Sequence, residues 1–331
     1  MVKKLKSSGV SFYDGVMVKK NGILLCGKLD SLSYDDYSHS RNFIFIDGKW
    51  SGEDLPFMTS SICNYQPKEP FPASRAMCTL AEMAGGVHFY WSRSVKVGIE
   101  MLPGAEASGG LLHLQQIKQI GDDLYVVGSS SQVYRRHNGA WHIFNQGLEE
   151  VPTAVFLKQG KTLSEAVMLS QKTTAMLHSI DGSAENNLFA VGYGGSIYHK
   201  GDGPWMKLDD VTNANLHRVK YIDEDTVYIA GNKGILLKGN SRGFHVIQTG
   251  INDDLWGIEW FNDKLYIGTK GKGIYEFDGK SFHKILTAPK IDFECHTLNA
   301  FGGQMLALGS KDIFLTDDCI TWTVIYHPEN Q

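Results

Sequence analysis

The chain has 331 residues, 42% hydrophobic and 21% charged, with a formal net charge of −4. That apolar share supports a buried core and excludes a disordered chain. The acidic balance, with a pI near 6.3, excludes a phosphate-tracking nucleic-acid binder, and no apolar run reaches the ~18 residues of a membrane span.

Met1 to Ser8 is basic but runs straight into Val10-Ser11-Phe12-Tyr13-Asp14. No apolar stretch of signal-peptide length follows, so a cytoplasmic protein without membrane contact is expected. The cysteines, Cys26, Cys63, Cys78, Cys295 and Cys319, contain no CxxC pair. That spacing argues against a disulfide framework or a zinc ribbon. Glycine is frequent, 36 residues against 9 prolines, which suits many tight turns between short strands.

Short apolar runs ending in glycine recur along the chain: 23–27, 124–128, 188–192, 227–231, 265–268 and 305–309. They read as buried strands. A second apolar run follows each, as in Gln132-Val133-Tyr134 and Ser196-Ile197-Tyr198. Turns such as Asp47-Gly48, Asn138-Gly139, Asp202-Gly203 and Asp278-Gly279 come next; they supply the positive φ angles of tight hairpins. An aromatic residue closes each unit: Trp50, Trp141, Trp205, Phe244, Phe282 and Trp322, the last five spaced 64, 39, 38 and 40 residues apart. A repeat of ~40 residues holding four strands is a propeller blade.

The strand opening each unit carries Leu-His or a close variant: Leu177-His178, Leu216-His217, Leu255-Trp256, Cys295-His296 and Leu112-His113. The expectation is an all-β, seven-bladed β-propeller of four-stranded antiparallel blades, one domain over 1–331. Blades are placed near 11–57, 58–104, 111–146, 175–209, 214–249, 253–288 and 293–327. The long spacing leaves an insertion at 146–174, either an extra hairpin turning at Gly160 or a short helix over Leu163 to Leu169.

These residues resemble the propellers of photosystem II stability/assembly factors and of Asp-box (BNR) repeat proteins. The run Val191-Gly192-Tyr193-Gly194-Gly195-Ser196-Ile197-Tyr198 is the nearest match to the former. Thr316-Asp317-Asp318-Cys319-Ile320-Thr321-Trp322 is nearest to an Asp-box, with Cys319 at its glycine position. The resemblance covers roughly residues 111–327. It implies the fold, while propellers host many functions.

For an enzyme, the Asp-box resemblance implies sialidase-like chemistry with an arginine triad. The chain's arginines are Arg41, Arg75, Arg93, Arg135, Arg136, Arg218 and Arg242, and only Arg218 is expected on a channel-side strand. Gly239-Asn240-Ser241-Arg242-Gly243 matches G-x-S-x-G but falls in a hairpin turn, not at a strand-to-helix elbow. The recurring histidines could ring the channel and hold a metal, but a role shared by every repeat is structural rather than functional. No catalytic residue, metal or other cofactor is therefore assigned.

Function is expected where the repeat is interrupted. Residues 28–41 and 146–174 fall on the face shared by the loops between second and third strands and between blades. Aromatic residues beside acids there suit protein contact. The expected partner-binding residues are Tyr34, Asp35, Asp36, Tyr37, Glu149, Glu150 and Phe156, with Arg218, Trp256 and Trp260 at a channel mouth. The expected function is a non-catalytic, bacterial cytoplasmic immunity or assembly protein that occludes a basic partner protein. A glycan-acting enzyme or lectin of the Asp-box type is the alternative.

Overall fold

A computed structural model describes residues 9–32, 39–67, 76–81, 85–92, 95–105, 113–287 and 290–330. The strands form seven four-stranded antiparallel sheets, each built from consecutive strands. The first holds β1–β4 (Val10–Lys19, Gly22–Leu29, Ser40–Ile46, Lys49–Leu55) and the second β5–β8 (Thr59–Tyr65, Ala76–Ala81, Gly86–Ser92, Val95–Met101). The third holds β9–β12 (Leu114–Ile120, Asp123–Gly128, Val133–His137, Ala140–Ile143) and the fourth β13–β16 (Leu177–Ala184, Asn187–Gly192, Ile197–Lys200, Trp205–Lys207). Then come β17–β20 (Leu216–Asp223, Thr226–Gly231, Leu236–Asn240, Gly243–Ile247) and β21–β24 (Leu255–Phe261, Lys264–Thr269, Ile274–Phe277, Phe282–Lys284). The last sheet is β25–β28 (Thr297–Phe301, Gln304–Leu308, Ile313–Thr316, Thr323–Val324). Their first strands, β1, β5, β9, β13, β17, β21 and β25, pack side by side in a closed circuit. The architecture is an all-β propeller of four-stranded antiparallel blades.

Among the described side chains, second strands are buried almost throughout, as in Leu124 to Val127 and Met305 to Leu308. Their continuous apolar sequence follows, because both faces press on neighbouring sheets. The cores lie between blades: Ile120, Tyr125 and Val127 pack with Leu177, Ile180 and Trp205 of the next sheet. The ring closes between the last sheet and the first without strand exchange. There Val10, Phe12 and Phe43 pack with Leu306, Leu308 and Ile313, and the Met17 amide donates to Asn299 Oδ1 at 2.8 Å.

The closing aromatics divide. Trp205 is fully buried, at 2% exposure, and its indole N–H donates to the Phe144 carbonyl at 2.8 Å. Trp141 and Trp322 are half-buried against their clusters. The segment Thr316 to Trp322 folds as a side-chain-capped turn. Asp318 Oδ1 accepts from the amides of Ile320 and Thr321 at 2.8 and 2.7 Å. Cys319 adopts φ +59, the left-handed region that glycine fills most easily.

The insertion is helical. Helix α1 (Thr153–Lys158) and helix α2 (Leu163–Thr173) pack on each other across a turn at Gly160. Thr162 caps α2: its hydroxyl accepts from the Glu165 amide while Glu165 reaches back to the Thr162 amide. That reciprocal pair satisfies two otherwise orphaned donors. Of the two expected forms, the helix is the one present, extended to Thr173 and preceded by α1.

Candidate partner-binding face

Six first strands share a defect at one position. Pairing with the second strand skips a residue between Phe12 and Asp14, Thr59 and Ser61, Leu177 and Ser179, Leu216 and Arg218, and Leu255 and Gly257. A matching shift falls in β9, where Leu114 and Gln116 flank the skipped residue. The skipped residues are Tyr13, Ser60, Gln115, His178, His217 and Trp256. A bulge leaves its extra residue unpaired and re-aims its side chain. The recurring histidine position is therefore a bulge at the channel rim. His113 does not belong to it: it lies outside β9 with φ +47, and Gln115 holds the equivalent place.

The bulged rings touch in series. Tyr193 meets His178 edge-on at 4.7 Å, His178 stacks on His217 at 5.8 Å and 11°, and His217 meets Trp256 at 6.4 Å. Lys270 covers Trp256 at 5.5 Å. Hydrogen bonds fix the rings: His178 Nδ1 donates to the Leu216 carbonyl at 2.8 Å, and His217 pairs with Asn232. Burial pushes His178 down to about 4 and lowers His217 as well. Among the described residues, no three His, Cys, Asp or Glu converge as metal ligands.

Beyond the bulge, side chains stitch blade to blade around a channel of about 550 Å³. Asp14 accepts from Ser61 Oγ at 2.9 Å, the Ile62 amide at 3.2 Å and Thr297 Oγ1 at 3.1 Å. Lys118 pairs with Asp181 at 2.8 Å, and Lys220 pairs with Glu259. Burial opposes the Lys220 charge, yet Glu259 and Asp181 hold its ammonium above the ordinary lysine range. Of the arginines, Arg218 lines the channel. Arg75 and Arg93 fall outside the described residues.

The expected contact residues separate. Tyr34, Asp35, Asp36 and Tyr37 lie outside the described residues. Glu149 Oε2 accepts from the Gly147 amide at 2.6 Å and Glu150 Oε1 from Ser170 Oγ at 3.2 Å. Both carboxylates thus brace the insertion and remain exposed. Phe156 is half-buried, whereas its neighbours Val155 and Leu157 are exposed. Arg218 and Trp256 stand at the hairpin end of the channel. Trp260 does not join them. It is four residues further along β21, about 13 Å at strand rise, and stacks on Tyr228 at 6.5 Å between blades.

The structure adds residues that sequence reasoning missed. The helical hairpin exposes Leu163 (66%) and Met168 (50%) together with Val155, Leu157 and Val167. Ala166 and Ser170 face inward, so the i, i+4 spacing of Leu163 and Val167 leaves an apolar stripe outside. Met176 and Tyr193 are also exposed. They link the hairpin to the ring series, since the Tyr193 amide donates to the Met176 carbonyl at 3.0 Å. Hairpin, Met176, Tyr193, His178, His217 and Trp256 form one track from the rim of the face to the channel mouth. Its exposed apolar side chains, on the hairpin and at Met176 and Tyr193, mark an interaction surface.

Comparison with known proteins follows this geometry. No family model matches the chain. The chain is 26% identical over 328 residues to the "Immune protein Tsi7" of Pseudomonas aeruginosa, covering 96% of this chain and 97% of that protein. Among solved structures, the WD40 propeller domain of Doa1 matches with a TM-score of 0.66 at 11% identity, covering 98% of this chain and 96% of that one. YCF48 from Cyanidioschyzon merolae matches at 0.64 and 14%, covering 98% and 97%. YCF48 bound to D1 peptide matches at 0.62 and 13%, covering 94% of each. These structural likenesses show the propeller fold. They include the photosystem II assembly factor group that the glycine-aromatic repeats resemble.

Proposed function

We propose that this chain is a non-catalytic immunity protein that neutralises a partner protein by docking against it with the hairpin-bearing face. The observation that carries the reading is the full-length likeness to the immune protein of Pseudomonas aeruginosa. The exposed stripe of Leu163, Val167 and Met168 supports the choice of face, since buried apolar anchors dominate protein contacts. Glu149 and Glu150, exposed at its base, would favour a basic partner. We place the protein in the cytoplasm. Cys26, Cys63, Cys295 and Cys319 are free and buried, which suits a reducing compartment.

The test is capture of the partner from the native host, followed by co-expression. The captured protein should arrest growth alone and not when this chain is present. Leu163→Asp with Met168→Asp should abolish protection while leaving the melt unchanged, because both side chains are exposed. A partner harmless to cells refutes the immunity reading, and full protection by the double variant refutes the face.

A further inference from the structure

Arg218 departs from a pattern that Asp14, Ser61, Gln116 and Ser179 keep. The residues just past the bulge in four other blades, and Thr297 at the start of unbulged β25, bond across to a neighbouring blade. Ser61 and Thr297 donate to Asp14, Gln116 Oε1 accepts from the Ile180 amide at 2.8 Å, and Ser179 Oγ accepts from the Val219 amide at 3.2 Å. Arg218 bonds backwards, its guanidinium donating to the His217 carbonyl at 3.2 Å. Across the next seam its counterpart is Gly257, which has no side chain to meet it. Among the described residues no carboxylate lies within ion-pair distance of Arg218. A side chain retained for blade closure would not stand so.

The acids just ahead of β21 and β25 accept backbone amides. Asp254 accepts from the Lys233 amide at 2.9 Å, Asp253 from the Gly271 amide at 2.8 Å, and Glu294 from the Ser310 amide at 3.3 Å. Arg218 also disfavours protonation of His178, His217 and His296 alike. The channel of about 550 Å³ beneath leaves room for an entering side chain.

From this geometry we infer that Arg218 is a receptor for a carboxylate, supplied by an acidic side chain that the partner inserts through the mouth rimmed by His178, His217 and Trp256. A planar guanidinium with free donors matches a carboxylate in a bidentate pair. The surrounding rings exclude water and strengthen that pair. The inference rests on the proposed docking reading for the source of the carboxylate.

The chain alone tests it. Glutarate is titrated into the full-length protein near neutral pH, and the histidine ring signals are followed by NMR. The expected result is saturable shifts at His178 and His217. Arg218→Met should weaken glutarate roughly tenfold or more, the value of a lost charged hydrogen bond. Arg218→Lys keeps the charge but not the fork, and should also weaken it, which decides the matter if the Met variant does not fold. No shift in the wild type, or equal affinity in Arg218→Lys, overturns the inference. Binding of inorganic phosphate without glutarate overturns it as well, because the ligand is then a phosphoryl group. No partner is needed, so this titration and the capture experiment fail independently.

Discussion

Replacing Trp205 by Ala tests the link between blade packing and the hairpin. Trp205 is at 2% exposure among Leu148, Ala175 and Leu188. Deleting a buried indole costs ~3–5 kcal/mol, with the residual cavity setting where in the range it falls. The upper half is expected, because the Phe144 carbonyl also loses its 2.8 Å donor. Unfolding entropy of ~2.1 cal/mol/K per residue makes ~0.7 kcal/mol/K for a chain this long, so Tm should fall by about 6 °C. The same residue anchors the insertion: its amide donates to the Gln146 carbonyl at 2.8 Å. Gly147, at φ +93, passes so close that a Cβ there would lie 2.4 Å from the Trp205 carbonyl oxygen. Calorimetry should therefore show the lower Tm, and hydrogen exchange should show faster opening across 146–174. Trp205→Phe, which loses the indole donor but keeps most of the packing, should do less of both. A wild-type melt for Trp205→Ala would refute the packing assignment, and unchanged exchange in the insertion would refute the anchoring.

Three further outcomes follow from the channel and its rim. His178 takes its proton only near pH 4 when folded, whereas the unfolded ring does so near ~6.5, so stability should be flat above that value and fall between the two as pH drops, by about 2–3 kcal/mol. His178→Phe should flatten that slope in melts recorded across the window, and parallel slopes would contradict the burial argument. Lys220→Met leaves the Glu259 carboxylate, 8% exposed, without its partner and should cost ~3–5 kcal/mol in denaturant unfolding, part of which Glu259→Gln in the same chain should restore. Asp14→Ala should cost at least ~2 kcal/mol, because the buried Ile62 amide and the Ser61 and Thr297 hydroxyls lose a common acceptor; a neutral effect would mean that water replaces it.

The blades were legible because each repeats one solution to one packing problem. An apolar second strand must be buried on both faces, and a tight turn follows the third, with positive φ at Gly48, Gly139, Gly243 and Gly279 though not at Gly203, so composition and spacing agree from Leu124 to Trp322. The bulge left no such mark. It adds one residue and reverses which parity faces the channel. Trp256 and Trp260, four apart, therefore read as one face although they are not. His113 misled for a related reason: Leu112-His113 imitates the local pattern two residues ahead of the true position. The helical form of the insertion did have a signal, Thr162-Leu163-Ser164-Glu165, which is a capping box by sequence. The apolar, β-like run Ala154 to Leu157 obscured it. Arg218 was visible as a lone channel arginine. What made it informative, the cross-blade bonds of its counterparts, exists only in three dimensions.

Symmetry separates scaffold from function in this molecule. The bulge, the buried second strand and the cross-channel bonds recur from blade to blade, and each is explained by closing the ring. Two features are explained by no such need. The helical hairpin adds ordered residues without enlarging a blade core, and Arg218 occupies a bridging position without bridging. Ordering a segment costs conformational entropy that ring closure does not require. The two departures could have fallen anywhere on the propeller. They fall on the same face, at opposite ends of one track running through Met176, Tyr193, His178 and Trp256. Independent defects have no reason to be contiguous, whereas the parts of a single docking surface must be.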